Sequence, residues 1–159
     1  LGDVYKRQQY KSTGRPTALG GWCAKYIDIP TEPAYPFGYG LSYTTFNYSD
    51  VKLLPGDGKG TYTRVAVTVT NTGKCEGEEV VQLYVRDEVA SITRPIKELK
   101  GFEKIKLSPG ESKMVTFDVK DEQLGFYNNQ MKFIVEKGDF TLMVGGNSRD
   151  LQEIKYILN

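Results

Sequence analysis

The sequence predicts an all-β antiparallel sandwich preceded by an irregular N-terminal extension. Two observations carry this. From residue 46 onward, apolar and polar residues alternate in about seven short runs, each closed by turn-forming Gly, Pro, Asn or Asp. Between these runs no stretch has the apolar spacing of an amphipathic helix, which a parallel sheet with crossover helices would require.

The elements follow in order. Leu1 to Gln8 has no period and fits nothing after it. Residues 9 to about 43 are rich in Gly, Pro, Thr and aromatics, and Pro16, Pro30, Pro33 and Pro36 forbid a helix. Trp22, Tyr26, Tyr35, Phe37, Tyr39 and Tyr43 crowd this stretch, with Phe46 and Tyr48 just beyond. Aromatic rings bury large areas, so the segment is expected to dock on a surface rather than to behave as a linker. Phe46 to Leu54 reads as the first strand and Pro55-Gly56-Asp57-Gly58 as a turn. Tyr62 to Thr70 alternates strictly, with Val65, Val67 and Val69 on one face, and Asn71-Thr72-Gly73 turns the chain. Val80 to Arg86 sends Val81, Leu83 and Val85 inward. Ile96 to Leu107 holds one or two strands around Gly101, and Lys113 to Val119 points Val115, Phe117 and Val119 inward. Gln123 to Asn129 has no clear form. Phe140 to Val144 and Leu151 to Leu158 complete the sheets.

Composition removes several chemistries. The chain of 159 residues carries 21 basic and 20 acidic side chains, a net charge of +1. Lys97, Lys100, Lys104 and Lys106 are interleaved with Glu98 and Glu103, the pattern of a mixed solvated surface rather than a nucleic-acid footprint. No histidine is present. Nucleophilic triads lack their base, and a zinc site would need four cysteines where the chain has Cys23 and Cys75. The two can pair or stay free, and free thiols suit a chain without a disulfide framework. No apolar run is long enough to cross a membrane, so neither a membrane nor a nucleic acid is expected as partner.

Carboxylates cluster at Glu76, Glu78 and Glu79, at Asp87 and Glu88, and at Asp118, Asp121 and Glu122. Two carboxylates facing each other could hydrolyse a glycoside. Neighbours on a strand point to opposite faces, however, and these sit at turns and strand ends, so they read as solvated charge. Gly38-Tyr39-Gly40 lacks the third glycine of a dinucleotide loop, and Asp57-Gly58 lacks the oxygen ligands of a calcium loop. No cofactor or metal is expected. Asn47-Tyr48-Ser49 matches a glycosylation acceptor but lies inside an expected strand. Gly138-Asp139-Phe140 stands where many sandwiches place a tyrosine corner, and Phe140, without a hydroxyl, is expected to pack in the core. The Tyr/Trp stretch has two readings, a sugar-stacking platform or a cover for a neighbouring domain, and its irregular setting favours the cover.

Beyond these patterns, Tyr35-Pro-Phe-Gly-Tyr-Gly-Leu-Ser-Tyr43 resembles the end of the second catalytic domain of family 3 glycoside hydrolases, with Thr13-Gly-Arg-Pro16 and Lys25-Tyr-Ile-Asp28 as its lead-in. Val69-Thr-Asn-Thr-Gly73, Glu79-Val-Val-Gln-Leu-Tyr-Val85, Arg94-Pro95, Lys97-Glu-Leu-Lys-Gly-Phe-Glu-Lys104 and Leu107-Ser-Pro-Gly-Glu111 resemble the domain that follows in the same family. The resemblance implies an immunoglobulin/fibronectin-III-like sandwich at residues 46–159 and the end of a catalytic-region domain with its linker at residues 9–45. Residues 1–8 match nothing in the family and read as foreign. The likeness is nearest to periplasmic or secreted β-glucosidases, whose aspartate nucleophile and glutamate acid/base lie upstream. No position here matches either, so no catalytic residue is assigned. The expected partner is the catalytic part of the same polypeptide, with substrate reached only through it; a sugar-binding module and a free-standing interaction domain are the alternatives.

Overall fold

Alternation in the sequence becomes burial in the fold. The computed structural model describes residues 33–159. Among these the strands are β1 (Phe46–Pro55), β2 (Thr63–Asn71), β3 (Gly77–Asp87), β4 (Glu98–Leu107) and β5 (Ser112–Val119). A helical turn α1 (Asp121–Leu124) and a small hairpin, β6 (Phe126–Tyr127) with β7 (Phe133–Ile134), lead to β8 (Gly138–Gly145) and β9 (Leu151–Leu158). One sheet has the order β1-β2-β5 and the other β4-β3-β8-β9, with every pair antiparallel. This is a sandwich of fibronectin type III form.

The inward faces make one core. Val65, Val67 and Val69 of β2 and Val115, Phe117 and Val119 of β5 meet Val81, Leu83 and Val85 of β3. Phe140, Leu142 and Val144 of β8 and Ile105 and Leu107 of β4 complete it. Each such side chain contributes about 1.5–3 kcal/mol by leaving water. Phe140 is packed in the core, as its lack of a hydroxyl predicts. Gly101 is small because the Phe117 ring lies across it, 3.3 Å from where a Cβ would stand.

Two irregularities were not legible in the pattern. In β1, Asp50 and Val51 together oppose Val67, because Ser49 pairs with Thr68 and Lys52 with Ala66. This bulge inserts one residue and switches the parity, so Phe46 and Tyr48 face the core before it and Val51 and Leu53 after it. Asp50 takes the left-handed conformation (φ 55°) that the extra residue needs. In β4, Lys100 is the extra residue, since Leu83 pairs with Gly101 and Tyr84 with Leu99. The segment from Ile96 to Leu107 therefore holds one bulged strand, Glu98–Leu107, rather than two. The undefined stretch near Gln123 holds α1 and the two-residue strand β6.

Register fixes the two ends. β1 starts beside Asn71 and finishes beside Thr63, where β5 also finishes at Val119. The β6–β7 hairpin thus follows from the end opposite to where residues 33–45 enter, a strand length of about 30 Å away.

Candidate functional site

Residues 33–45 reach the first sheet as a strap with large and small residues in alternation. Tyr35, Phe37, Tyr39, Leu41 and Tyr43 are exposed, from 43% for Tyr39 to 100% for Tyr43. Pro36 and Thr44 are buried. Gly38, Gly40 and Ser42 are exposed as well, so the strap is anchored at Pro36 and Thr44 and leaves its large apolar side chains open to solvent. A turn bends the strap at Pro36, where the Tyr39 N–H donates to the Pro36 carbonyl (3.0 Å). Gly38 takes φ +82° at the position where such a turn needs a left-handed residue, and it lies against the Gln82 side chain.

Buried polar contacts hold the strap. Thr44 Oγ1 donates to Asn71 Oδ1 (2.5 Å), and Thr44 fits a slot cleared by Gly73 and Gly77, where a Cβ would strike its side chain. Asn71 is fully buried. Its Nδ2 donates to the carbonyls of Cys75 (2.8 Å) and Leu107 (3.0 Å), and its Oδ1 also accepts the Gly73 N–H (3.0 Å). Every hydrogen-bonding site of this amide is engaged, so it pins strap, turn and β4 together. Thr72 N–H donates to the Thr45 carbonyl (2.8 Å), and further along the strap the Ser148 N–H donates to the Phe37 carbonyl (2.8 Å). Gln82 Nε2 donates to the Gly146 carbonyl (2.6 Å) and Tyr84 Oη to Gln82 Oε1 (2.5 Å), which ties the β8–β9 turn to the outer face of the second sheet.

Between strap and sandwich lies a cleft of about 440 Å³, lined by Tyr39, Leu41, Phe46, Tyr48 and Val80 with Glu78, Glu79, Asn147 and Asp150 at its polar side. Tyr48 Oη donates to Glu79 Oε1 (3.0 Å) on its wall. Burial pushes the Glu79 carboxyl above the usual carboxylate range, against the Tyr48 hydroxyl and the Val80 N–H, which pull it down. Burial, then the Glu79 charge, pushes the Tyr48 phenol far up. Tyr48 is the donor of this pair.

Most of the other clustered carboxylates have structural partners, while Asp87 Oδ2 is buried without one. Glu76 pairs with Lys106 (2.7 Å), Glu78 with Lys104 (2.5 Å), and Asp118 with Lys120 (3.2 Å). Glu88 meets Arg86 (3.1 Å), Lys155 (2.8 Å) and the Thr141 hydroxyl, and Asp121 accepts from the Tyr62 hydroxyl. Asp87 accepts the Val89 N–H (3.2 Å), and burial raises its carboxyl. Lys100 pairs with Glu98 (3.0 Å), and Lys97 donates to the Ser148 carbonyl (2.8 Å), so all four lysines of the basic run have acceptors. Exposed pairs of this kind contribute little to stability. Among the described residues no group of three or more acidic or thiol side chains could hold a metal ion, and no helix is long and apolar enough to cross a membrane. Asn47 is exposed on β1. Cys75 is an exposed free thiol. Cys23, Trp22, Tyr26 and the two lead-in motifs lie outside the described residues. Asn71, the residue that pins the strap, reads in the sequence only as a turn former.

Comparison with known proteins completes the case. The fibronectin type III-like domain family matches residues 79–148. The periplasmic β-glucosidase of Salmonella typhimurium is 45% identical over 160 residues, covering 96% of this chain and 20% of that protein. Thermostable β-glucosidase B of Acetivibrio thermocellus is 49% identical over 80% of this chain and 17% of its own length. The crystal structure of a β-glucosidase from Listeria innocua in complex with glucose superposes with a TM-score of 0.80 at 40% identity, over 93% of this chain and 21% of that one. The chain spans about a fifth of the length of the relatives it matches. By domain, relatives and fold together, this chain corresponds to the fibronectin type III-like C-terminal region of family 3 glycoside hydrolases.

Proposed function

We propose that this chain is the non-catalytic, domain-packing region of a retaining β-glucosidase that removes terminal non-reducing β-D-glucosyl residues. Its partner is the catalytic part of the same polypeptide, which supplies the nucleophilic aspartate and the acid/base glutamate. Residues 9–45 close that preceding part, residues 46–159 are the accessory sandwich, and residues 1–8 are foreign to it. The observation that carries this reading is the strap. It is fastened by the buried Thr44–Asn71 contact, yet its five large apolar side chains are exposed, from Tyr39 at 43% to Tyr43 at 100%. Patches of this kind mark an interaction site. Glu76, Glu78, Glu88, Asp118 and Asp121, occupied by lysines, arginine or hydroxyls, support an accessory rather than a catalytic role. The name of the Salmonella relative supports a periplasmic or secreted location for the parent enzyme.

A chimera tests the proposal. The matching fifth of the Salmonella enzyme is replaced by residues 9–159 of this chain, and hydrolysis of an aryl β-glucoside and the melting temperature are measured. The chimera is expected to be active, while this chain alone shows no turnover. Changing Tyr35, Phe37 and Tyr43 to Ser should lower the melting temperature of the chimera by several degrees. An unchanged melting temperature, or turnover by the isolated chain, would overturn the reading.

A further inference from the structure

The β6–β7 hairpin carries a second exposed apolar group, at the end of the sandwich remote from the strap. Tyr127 is 61% exposed, Met131 78% and Phe133 45%. Their setting is stiff. Tyr127 and Phe133 pair across the hairpin with ring centroids 5.3 Å apart and planes at 65°, so one ring stands edge-on to the other. Gly125 has no side chain because the Phe133 ring lies against it; a Cβ there would collide with the ring. One side of the Phe133 ring is thereby seated on backbone and much of the remainder faces solvent. Beneath, Phe126 is buried, with the Arg94 guanidinium 4.5 Å from its ring centroid.

The hairpin tip is as firmly built. Asn128 Oδ1 accepts the N–H groups of Gln130 (2.9 Å) and Lys132 (3.1 Å). The Asn128 N–H donates to the Lys132 carbonyl (3.0 Å), and the Met131 N–H to the Asn128 carbonyl (2.9 Å). These bonds hold Met131 at φ 57°, a conformation that costs a non-glycine residue energy and persists where the surroundings enforce it. The result is a fixed corner of two rings and a thioether beside a tip of three neutral amides, Asn128, Asn129 and Gln130.

We propose that this corner is a binding platform for a β-linked glucan chain. An aromatic face carries negative partial charge and attracts weakly positive C–H groups. A β-linked glucose ring has equatorial hydroxyls and axial C–H bonds, so it presents a flat apolar face to a ring and hydroxyls sideways to amides. The tip offers the amides of Asn128, Asn129 and Gln130 to such hydroxyls, and Lys132 is the one charged side chain among residues 127–133. Both rings are held before binding, which keeps the ordering cost of recognition small. The platform is distinct from the strap in sequence, lies at the opposite end of the fold, and serves to hold polymer rather than to pack a domain.

Choosing glucan as the sugar rests on the β-glucosidase reading; the platform itself does not. The test is a titration of the full chain with cellopentaose, followed by amide and side-chain NMR. Saturable shifts confined to Tyr127, Phe133 and the Asn128–Gln130 tip are expected. Tyr127→Ala, at an exposed position where folding is safe, should weaken binding about tenfold, the loss of one stacked ring. Phe133→Trp should preserve or strengthen it. Four results would overturn the proposal: no saturable shift at about 10 mM cellopentaose, shifts centred on the strap instead, affinity unchanged in Tyr127→Ala, or equal binding of α-linked maltopentaose. A failed chimera would sink the packing role and leave this titration untouched, and a failed titration would leave the chimera untouched.

Discussion

Strand β2 and the strap carry the same period-two pattern and meet opposite fates. In β2, Val65, Val67 and Val69 are completely buried; in the strap, Tyr35, Phe37, Tyr39, Leu41 and Tyr43 are open to solvent. The difference lies in what each segment is offered. β2 is the central strand of its sheet, paired on both sides by β1 and β5, and its inward face meets a second sheet. The strap has no ladder partner along Tyr35–Tyr43, and it is anchored at Pro36 and Thr44 while the residues between them stay exposed. Alternation therefore reports which side chains share a face, and only tertiary context decides whether that face is covered.

The sharpest way to expose this contrast is to remove a core ring. Phe140 is buried against both sheets, and Phe140→Ala leaves a large cavity. We expect a loss of about 3–5 kcal/mol, read as a fall in the urea midpoint with the slope unchanged. A loss below about 1 kcal/mol would mean that the core collapses around the gap and is not close-packed.

Asn71 sits at the junction of the two regions. Asn71→Ala strands the carbonyls of Cys75 and Leu107, the Gly73 N–H and the Thr44 hydroxyl in a buried site. The expected cost is about 2–3 kcal/mol, with Thr44→Val costing less because Asn71 keeps its other partners. If hydrogen exchange then quickens at residues 41–45 and 72–75 but not in β2, the amide is a fastener of the strap rather than a general core element.

A smaller effect separates the cleft from both. Glu79 has a folded pKa above its ordinary value of 4.5 because it is half-buried. The folded state then binds this proton more tightly than the unfolded state does. Its contribution is therefore favourable at low pH and is lost as pH rises from about 4.5 through the raised value. Glu79→Gln should flatten that segment of the stability curve, measured by unfolding between about pH 4 and 7. A wild-type curve that rises across this window while the variant stays flat would show that the Tyr48 hydrogen bond outweighs burial.

The residues explain how much of this was legible. β2, β5 and β8 were readable because Val, Phe and Leu alternate without interruption and each faces one core. The bulges at Asp50 and Lys100 were not, because a bulge is defined by its partner strand, and no local signal marks one residue as extra. The β6–β7 hairpin escaped because two-residue strands carry no period; Gly125 next to aromatics was the available hint, a glycine where a ring needs room. The strap was readable as a docking segment from its aromatics, while its outward face was not. Asn71 was hidden by its own chemistry. Asn-Thr-Gly signals a turn whatever the amide does, and its partners at Cys75 and Leu107 are set by tertiary structure.

The smallest expected effect tests the comparison itself. Tyr43→Ser and Leu41→Ser remove large apolar groups that touch little in this chain, so each should change its stability by less than about 0.5 kcal/mol. A chain of the same composition buried in β2 would unfold under such changes. Surface aromatics that add little to their own domain fit an interaction with something outside it, and the strap is held in place by a buried amide. If Tyr43→Ser lowers the melting temperature of the isolated chain by more than about 4 °C, the ring has a seat within this chain, and the strap is part of the sandwich's own core rather than a face awaiting a neighbour.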